Sequence, residues 1–214
     1  MPLWGTAHAS ATNKPKFLPT DEDSDYSRTD AYATQSGWVM QAGHVSSGNG
    51  NTGADPEVLV AIGGLAGASS STGLRAPTTT AMRFIIGSTA ATDLTAGSSS
   101  QTITVEITWD EGITVAGSPP LAIANGNQGT GSGRGPYTCV YTGTGSTANR
   151  KRFTLASQTI VANDVLTIGG ANIALAGGTI SDTVVGGTTL AASLVLSGLT
   201  AVTHTVLALS LIHI

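Results

Sequence analysis

Charge is what this sequence has least of. Charged residues fill 10% of its 214 positions, against about 25% in an average soluble protein. Nine are Lys or Arg and thirteen are Asp or Glu, for a net charge of −4. A phosphate backbone is bound by clustered Lys and Arg. The only such cluster is Arg150-Lys151-Arg152, which reads as a solvated hairpin end, so no nucleic-acid partner is expected. Cysteine occurs once, at Cys139, which excludes an intrachain disulfide. It alternates with Val140 in YTCVYT with no histidine close in sequence. A buried small hydrophobe is expected there, not a reactive thiol. No run of about 18 apolar residues exists, so no membrane span is expected. The N-terminal MPLWGTAHAS lacks the basic and apolar regions of a secretory signal. Synthesis and assembly in a cytoplasm are the expectation.

What is present points to strands. The apolar fraction is 40%, too high for a disordered chain. Glycine supplies 28 residues; inside a helix each costs roughly 1 kcal/mol relative to alanine, so turns are favoured over helices. The clearest pattern is Gln101 to Leu121, QTITVEITWDEGITVAGSPPL. Ile103, Val105, Ile107 and Trp109 alternate with Thr102, Thr104, Glu106 and Thr108, giving one apolar and one polar face. Asp110-Glu111-Gly112 breaks the run, Ile113 and Val115 resume it, and Gly117-Ser118-Pro119-Pro120 closes it. Further strand signals follow at Leu121–Ala124, Tyr137–Tyr141, Arg152–Leu155, Asp164–Ile168, Asn172–Leu175, Gly178–Asp182 and Ala192–Leu196. Short strands at this spacing with glycine turns predict an all-β fold, an immunoglobulin-like β-sandwich.

The sandwich is expected over residues 80–200. Residues 1–64 read as an N-terminal attachment segment with short strands at Tyr32–Thr34, Gly37–Met40 and Glu57–Ile62, the last a buried one. Residues 65–79 read as a Gly/Ser/Ala linker. Residues 201–208, including Val202–Leu207, read as the start of a strand whose partners are missing. Leu209–Ile214, LSLIHI, matches the translation of a widely used sequencing adapter. These six residues are therefore expected to be library read-through.

Little chemistry is legible. His8, His44, His204 and His213 have no metal-ligand spacing. The acidic run Asp21-Glu22-Asp23-Ser24-Asp25 lacks the glycine and distal glutamate of an EF-hand. The glycine-rich 125–135 loop is followed by a strand and not by the helix that phosphate cradles use. Asp110, Glu111 and Asp182 lie at expected strand ends; they are weak calcium candidates set against plain turn capping. Trp4, Phe17 and Trp38 are large apolar residues in the N-terminal segment and are candidate partner-binding anchors. No catalytic residue and no cofactor is expected, and the chain reads as non-enzymatic. A glycan hydrolase would need two carboxylates facing a cleft.

Two resemblances extend this reading. The pieces QTITVEITWDEGITVAGSPPLAI, YTCVYTGTG, RFTLA, DVLTIGG and ANIALAGGTISD, in that order, resemble a bacterial immunoglobulin-like repeat over roughly residues 98–200. The departure is Trp109-Asp110, where that family commonly has Phe-Ser or Phe-Asn. MPLWG, KPKFLP and the Tyr32–Val39 stretch resemble the N-terminus of structural proteins from tailed cyanobacterial phages. Together they imply a virion protein, a head decoration or fibre-type component assembled in the host cytoplasm. Its implied partners are other virion proteins of a capsid or tail lattice, copies of itself, and host surface glycans. The alternative is a fragment of a secreted bacterial adhesin built of immunoglobulin-like repeats.

Overall fold

The computed structural model describes residues 14–15, 18, 28–44, 49–66, 74, 76–86, 89–90, 101–126, 135–158, 160–183 and 189–206. Among the described residues the first regular piece is a single 3-10 turn at Arg28–Asp30. Three strands follow, β1 (Tyr32–Thr34), β2 (Gly37–Met40) and β3 (Glu57–Ala61), and form an antiparallel sheet in the order β1-β2-β3. The β1–β2 turn is tight because Gly37 has a φ of 128°, and a Cβ there would collide with the Val60 carbonyl of β3. The buried strand expected at Glu57–Ile62 is instead an edge. Val58 is 46% exposed, since β3 pairs on one side only.

The remaining strands are β4 (Thr79–Ile86), β5 (Thr89–Ala90), β6 (Gln101–Trp109), β7 (Ile113–Ala116), β8 (Pro120–Asn125), β9 (Tyr137–Thr142) and β10 (Arg150–Gln158), then β11 (Val165–Ile168), β12 (Thr179–Asp182) and β13 (Val202–Thr205). Eight of them form one sheet in the order β13-β11-β8-β9-β10-β6-β4-β5, and β12 pairs with β7 as a separate ribbon. Every pairing between these strands is antiparallel. The large sheet bends back on itself, and β13 comes against β4 with the Phe84 and His204 rings 5.9 Å apart. The chain is therefore all-β, as its alternation and glycine content predict.

Alternation decides what fills the bend. Ile103, Val105 and Ile107 of β6 share one buried cluster with Phe84 of β4, Phe153 of β10, Leu121 and Ile123 of β8, and Leu166 and Ile168 of β11. Register brings the large ones level: Val105 is opposite both Phe84 and Phe153. Cys139 lies inside this cluster, fully buried, and burial pushes its thiol up to about 12. Trp109 is fully buried at the end of β6, and its indole N–H donates to the Ser193 carbonyl at 3.0 Å. Trp109→Phe should therefore cost about 1–3 kcal/mol, from a carbonyl left unpaired and a void beside it. Urea unfolding of the two proteins checks this.

Three local expectations are corrected. Asn172–Leu175 and Ala192–Leu196 are not sheet strands. They hold to their neighbours by scattered bonds, among them Ile173 N–H to Leu194 O at 3.1 Å, Ala174 N–H to Pro120 O at 3.0 Å and Ser193 N–H to Pro77 O at 2.8 Å. Val202–Thr205 does have a partner within the chain, pairing residue for residue with β11 from Ile168 back to Val165. Arg150-Lys151-Arg152 is not a solvated hairpin end. Lys151 is 8% exposed and donates to the Thr147 carbonyl at 2.6 Å, while both arginines meet acids.

Candidate functional site

The break in the β6 pattern is where the two parts of the chain meet. Asp110-Glu111-Gly112 cannot continue β6, and its backbone turns outward to pair with β1. Ala33 N–H donates to the Asp110 carbonyl at 2.7 Å, and Ala33 and Glu111 form a parallel bridge. Asp182, the last residue of β12, is opposite Ile113. The register thus brings Asp182 beside Glu111, 71 positions away in sequence, at the mouth of a cleft of about 320 Å³. One wall is Tyr32, Ala33, Thr34, Gln35 and Ser36 from the β1–β2 hairpin. The other is Glu111, Gly112, Asp182 and Thr183, and Ala66 and Ala148 complete it.

The acids in this corner differ in how they are held. Asp110 accepts from Thr78 twice, from its N–H at 2.7 Å and its hydroxyl at 2.5 Å. Burial nevertheless raises its carboxyl, outweighing those bonds and the charge of Lys14. Asp182 Oδ1 accepts the Leu190 N–H at 2.9 Å. Glu111 is 4% exposed, and among the described residues its Oε1 has no hydrogen-bond partner. Burial first, then the charges of Asp110 and Asp182, push its carboxyl up to about 8. At neutral pH Glu111 is therefore mostly protonated, a hydrogen-bond donor where an ionised group was expected. Lys14 lies nearby, almost fully buried. Burial brings its ammonium down to about 8, against the pull of Asp110 and Asp30.

The three calcium candidates do converge, but not as a calcium set. Among the described residues no group of three or more His, Cys, Asp or Glu is arranged to hold a metal ion. Both Asp110 oxygens and one of Asp182 cap backbone and hydroxyl donors instead, the role of turn-capping carboxylates. Of the aromatic anchors, Trp38 is 1% exposed and packs with Ala33, Leu65 and Leu74. The Lys14 ammonium stands 5.7 Å from its ring centre. Trp38 is thus used inside the chain, because β2 is the central strand of its sheet. Leu65 and Leu74 belong to the stretch read as a linker. Trp4 and Phe17, and likewise His8, His213 and the acidic run 21–25, lie outside the described residues.

A second cluster was not foreseen. Glu106, placed by alternation on the polar face of β6, is 1% exposed. Arg83 and Arg152 are its cross-strand partners in β4 and β10. They donate to its two oxygens, Arg83 Nη2 at 2.8 Å and Arg152 Nε at 3.0 Å. Arg150, 3.7 Å from the same acid, also reaches Asp30 at 3.1 Å, and Asp30 meets His44 at 3.0 Å. Burial opposes the Asp30 charge, but His44 and Arg150 outweigh it and hold the carboxyl below its usual range. This network fastens the 28–44 segment to the polar side of the large sheet. Arg83, Glu106 and Arg152 carry a sequence signal only once strand register is known.

No protein family model, curated protein or solved structure matches the chain.

Proposed function

We propose that the chain is a non-enzymatic structural protein of a tailed-phage virion, a head decoration or fibre-type component. In this reading residues 80–200 form an immunoglobulin-like sandwich displayed on the particle. The bent eight-stranded sheet wrapped around one apolar cluster supports this reading. The observation that carries the reading is the seam. Backbone pairing at Ala33 and the Asp30–Arg150 ion pair couple the N-terminal part directly to the sandwich. A module that must project from a lattice needs such a coupling to its base. With Trp38 occupied inside the chain, the docking role passes to Trp4 and Phe17, since large aromatic residues commonly dominate interface energies.

The test is mass spectrometry of purified virions from the phage that encodes the chain. Peptides of this protein are expected in intact particles at a stoichiometry matching a lattice position. Their absence from particles overturns the reading. Tandem copies of the 98–200 stretch in the complete gene would assign it instead to a secreted adhesin array.

A further inference from the structure

We propose that the cleft between the β1–β2 turn and the end of β12 receives the alkylammonium group of a lysine side chain from a neighbouring protein subunit. One wall is acidic and incompletely satisfied. Glu111 is 96% buried by its 4% exposure and lines the cleft with an oxygen that accepts no hydrogen bond from the described residues. A buried acceptor left unpaired costs about 1–3 kcal/mol, more when charged, so a donor entering here recovers that cost. Asp182 adds a second carboxylate on the same wall. The charges that act on Glu111 are those of Asp110 and Asp182, both negative, while Lys14 acts on Asp110 and Asp30. With Glu111 ionised, the corner is complementary to a cation.

The walls select which cation. A calcium ion needs six to eight oxygens, and no group of three metal-ligating acids or imidazoles stands among the described residues. An ammonium is compact, carries three donors and sits on a slender apolar stem. Its donors would meet Glu111 and Asp182, and its methylenes would lie along Ala33, Ala66 and Ala148. The proposal goes beyond the virion reading and does not depend on it, because any assembled partner with a projecting lysine satisfies it.

The experiment is a nuclear magnetic resonance titration of the full chain with Nα-acetyl-lysine methylamide. Saturable shifts are expected at the backbone amides of Thr34, Gly112 and Thr183. The ionised Glu111 is the binding form, so affinity should rise roughly tenfold per pH unit as the pH approaches 8. The same probe acetylated on its ε-nitrogen should give no shifts. Glu111→Gln, which keeps the side-chain shape, should weaken binding roughly tenfold or more. Absence of shifts, equal shifts with the acetylated probe, or binding unchanged in the Glu111→Gln protein would each overturn the proposal. So would calcium chloride alone producing the same shifts, which would mark a metal site instead.

Discussion

Glu106→Gln should destabilise the fold by about 3–5 kcal/mol, the cost of breaking a buried ion pair from one side. The side chain keeps its length and still offers one oxygen to a donor, so the test separates charge from hydrogen bonding. A lost neutral hydrogen bond is worth about 1 kcal/mol. Guanidiniums that lose their nearest carboxylate cost more, and here two arginines face Glu106 directly with a third at 3.7 Å. The charge term should therefore win, and Glu106→Gln should be nearly as damaging as Glu106→Ala. Urea midpoints of both variants decide it. A Gln variant that retains most of the native stability would mean that the site is wet enough to screen the guanidiniums.

The same network explains why the polar face of β6 is not a solvent face along its whole length. Thr102 is exposed, as period-two alternation predicts, but Glu106 and Thr108 are buried. The large sheet supplies cations on both flanks of Glu106 through strand register, and the Arg28–Asp30 turn brings an anion against Arg150. Two charge types and two distant parts of the chain are thus neutralised in one place. In a chain with only 22 Lys, Arg, Asp and Glu residues, this network draws on five of them: Asp30, Arg83, Glu106, Arg150 and Arg152. Their arrangement sets how residues 28–44 are held, so weakening Glu106 should loosen the N-terminal part as well as the sheet.

Strand existence was legible where side chains alternate, because period two is a property of one segment alone. Ile103, Val105 and Ile107 could be placed in a core without knowing their neighbours. The break at Asp110-Glu111 was legible for the same reason. What lies between segments was not. That Asp182 ends opposite Ile113, or that Arg83 and Arg152 bracket Glu106, depends on which strands pair and in what register, and a single sequence does not carry that. Val202–Thr205 shows the limit well. Its alternation gave a strand, but its partner, Val165–Ile168, is separated from it by a ribbon strand and two segments that are not sheet strands. Trp38 was misassigned for a related reason. A tryptophan on a short strand reads as available until the partners that cover it are known, and Leu65 and Leu74, which help bury it, come from a region whose composition resembles a linker.

Stability should fall as pH rises from about 5 to about 8, and Glu111→Gln should remove most of that fall. Glu111 has a folded value of about 8 against an ordinary 4.5. The folded state therefore holds this proton more tightly than the unfolded chain. Its contribution is complete below pH 4.5 and is lost progressively as pH climbs to 8, by at most about 5 kcal/mol and on the order of 3 kcal/mol once relaxation is allowed for. Asp110, also raised, acts in the same direction. The lysines act in the opposite sense and in a later window. Lys14 and Lys151 fall from 10.5 to about 8, so the folded state releases their protons first and regains stability between pH 8 and 10.5. The groups facing Glu111 are Asp110 and Asp182, and Lys14 bears on it only through Asp110. The native protein should thus be least stable near pH 8. At pH 5 protonated Glu111 and Gln are nearly the same shape and charge, so the two proteins should melt together. At pH 8 the Gln variant should be the more stable by several degrees, since 1 kcal/mol shifts the melting point of a chain of this size by roughly 2–4 °C. Melting curves at both pH values measure the difference. If the two proteins still melt together at pH 8, Glu111 ionises without penalty and the seam is wetter than its burial implies.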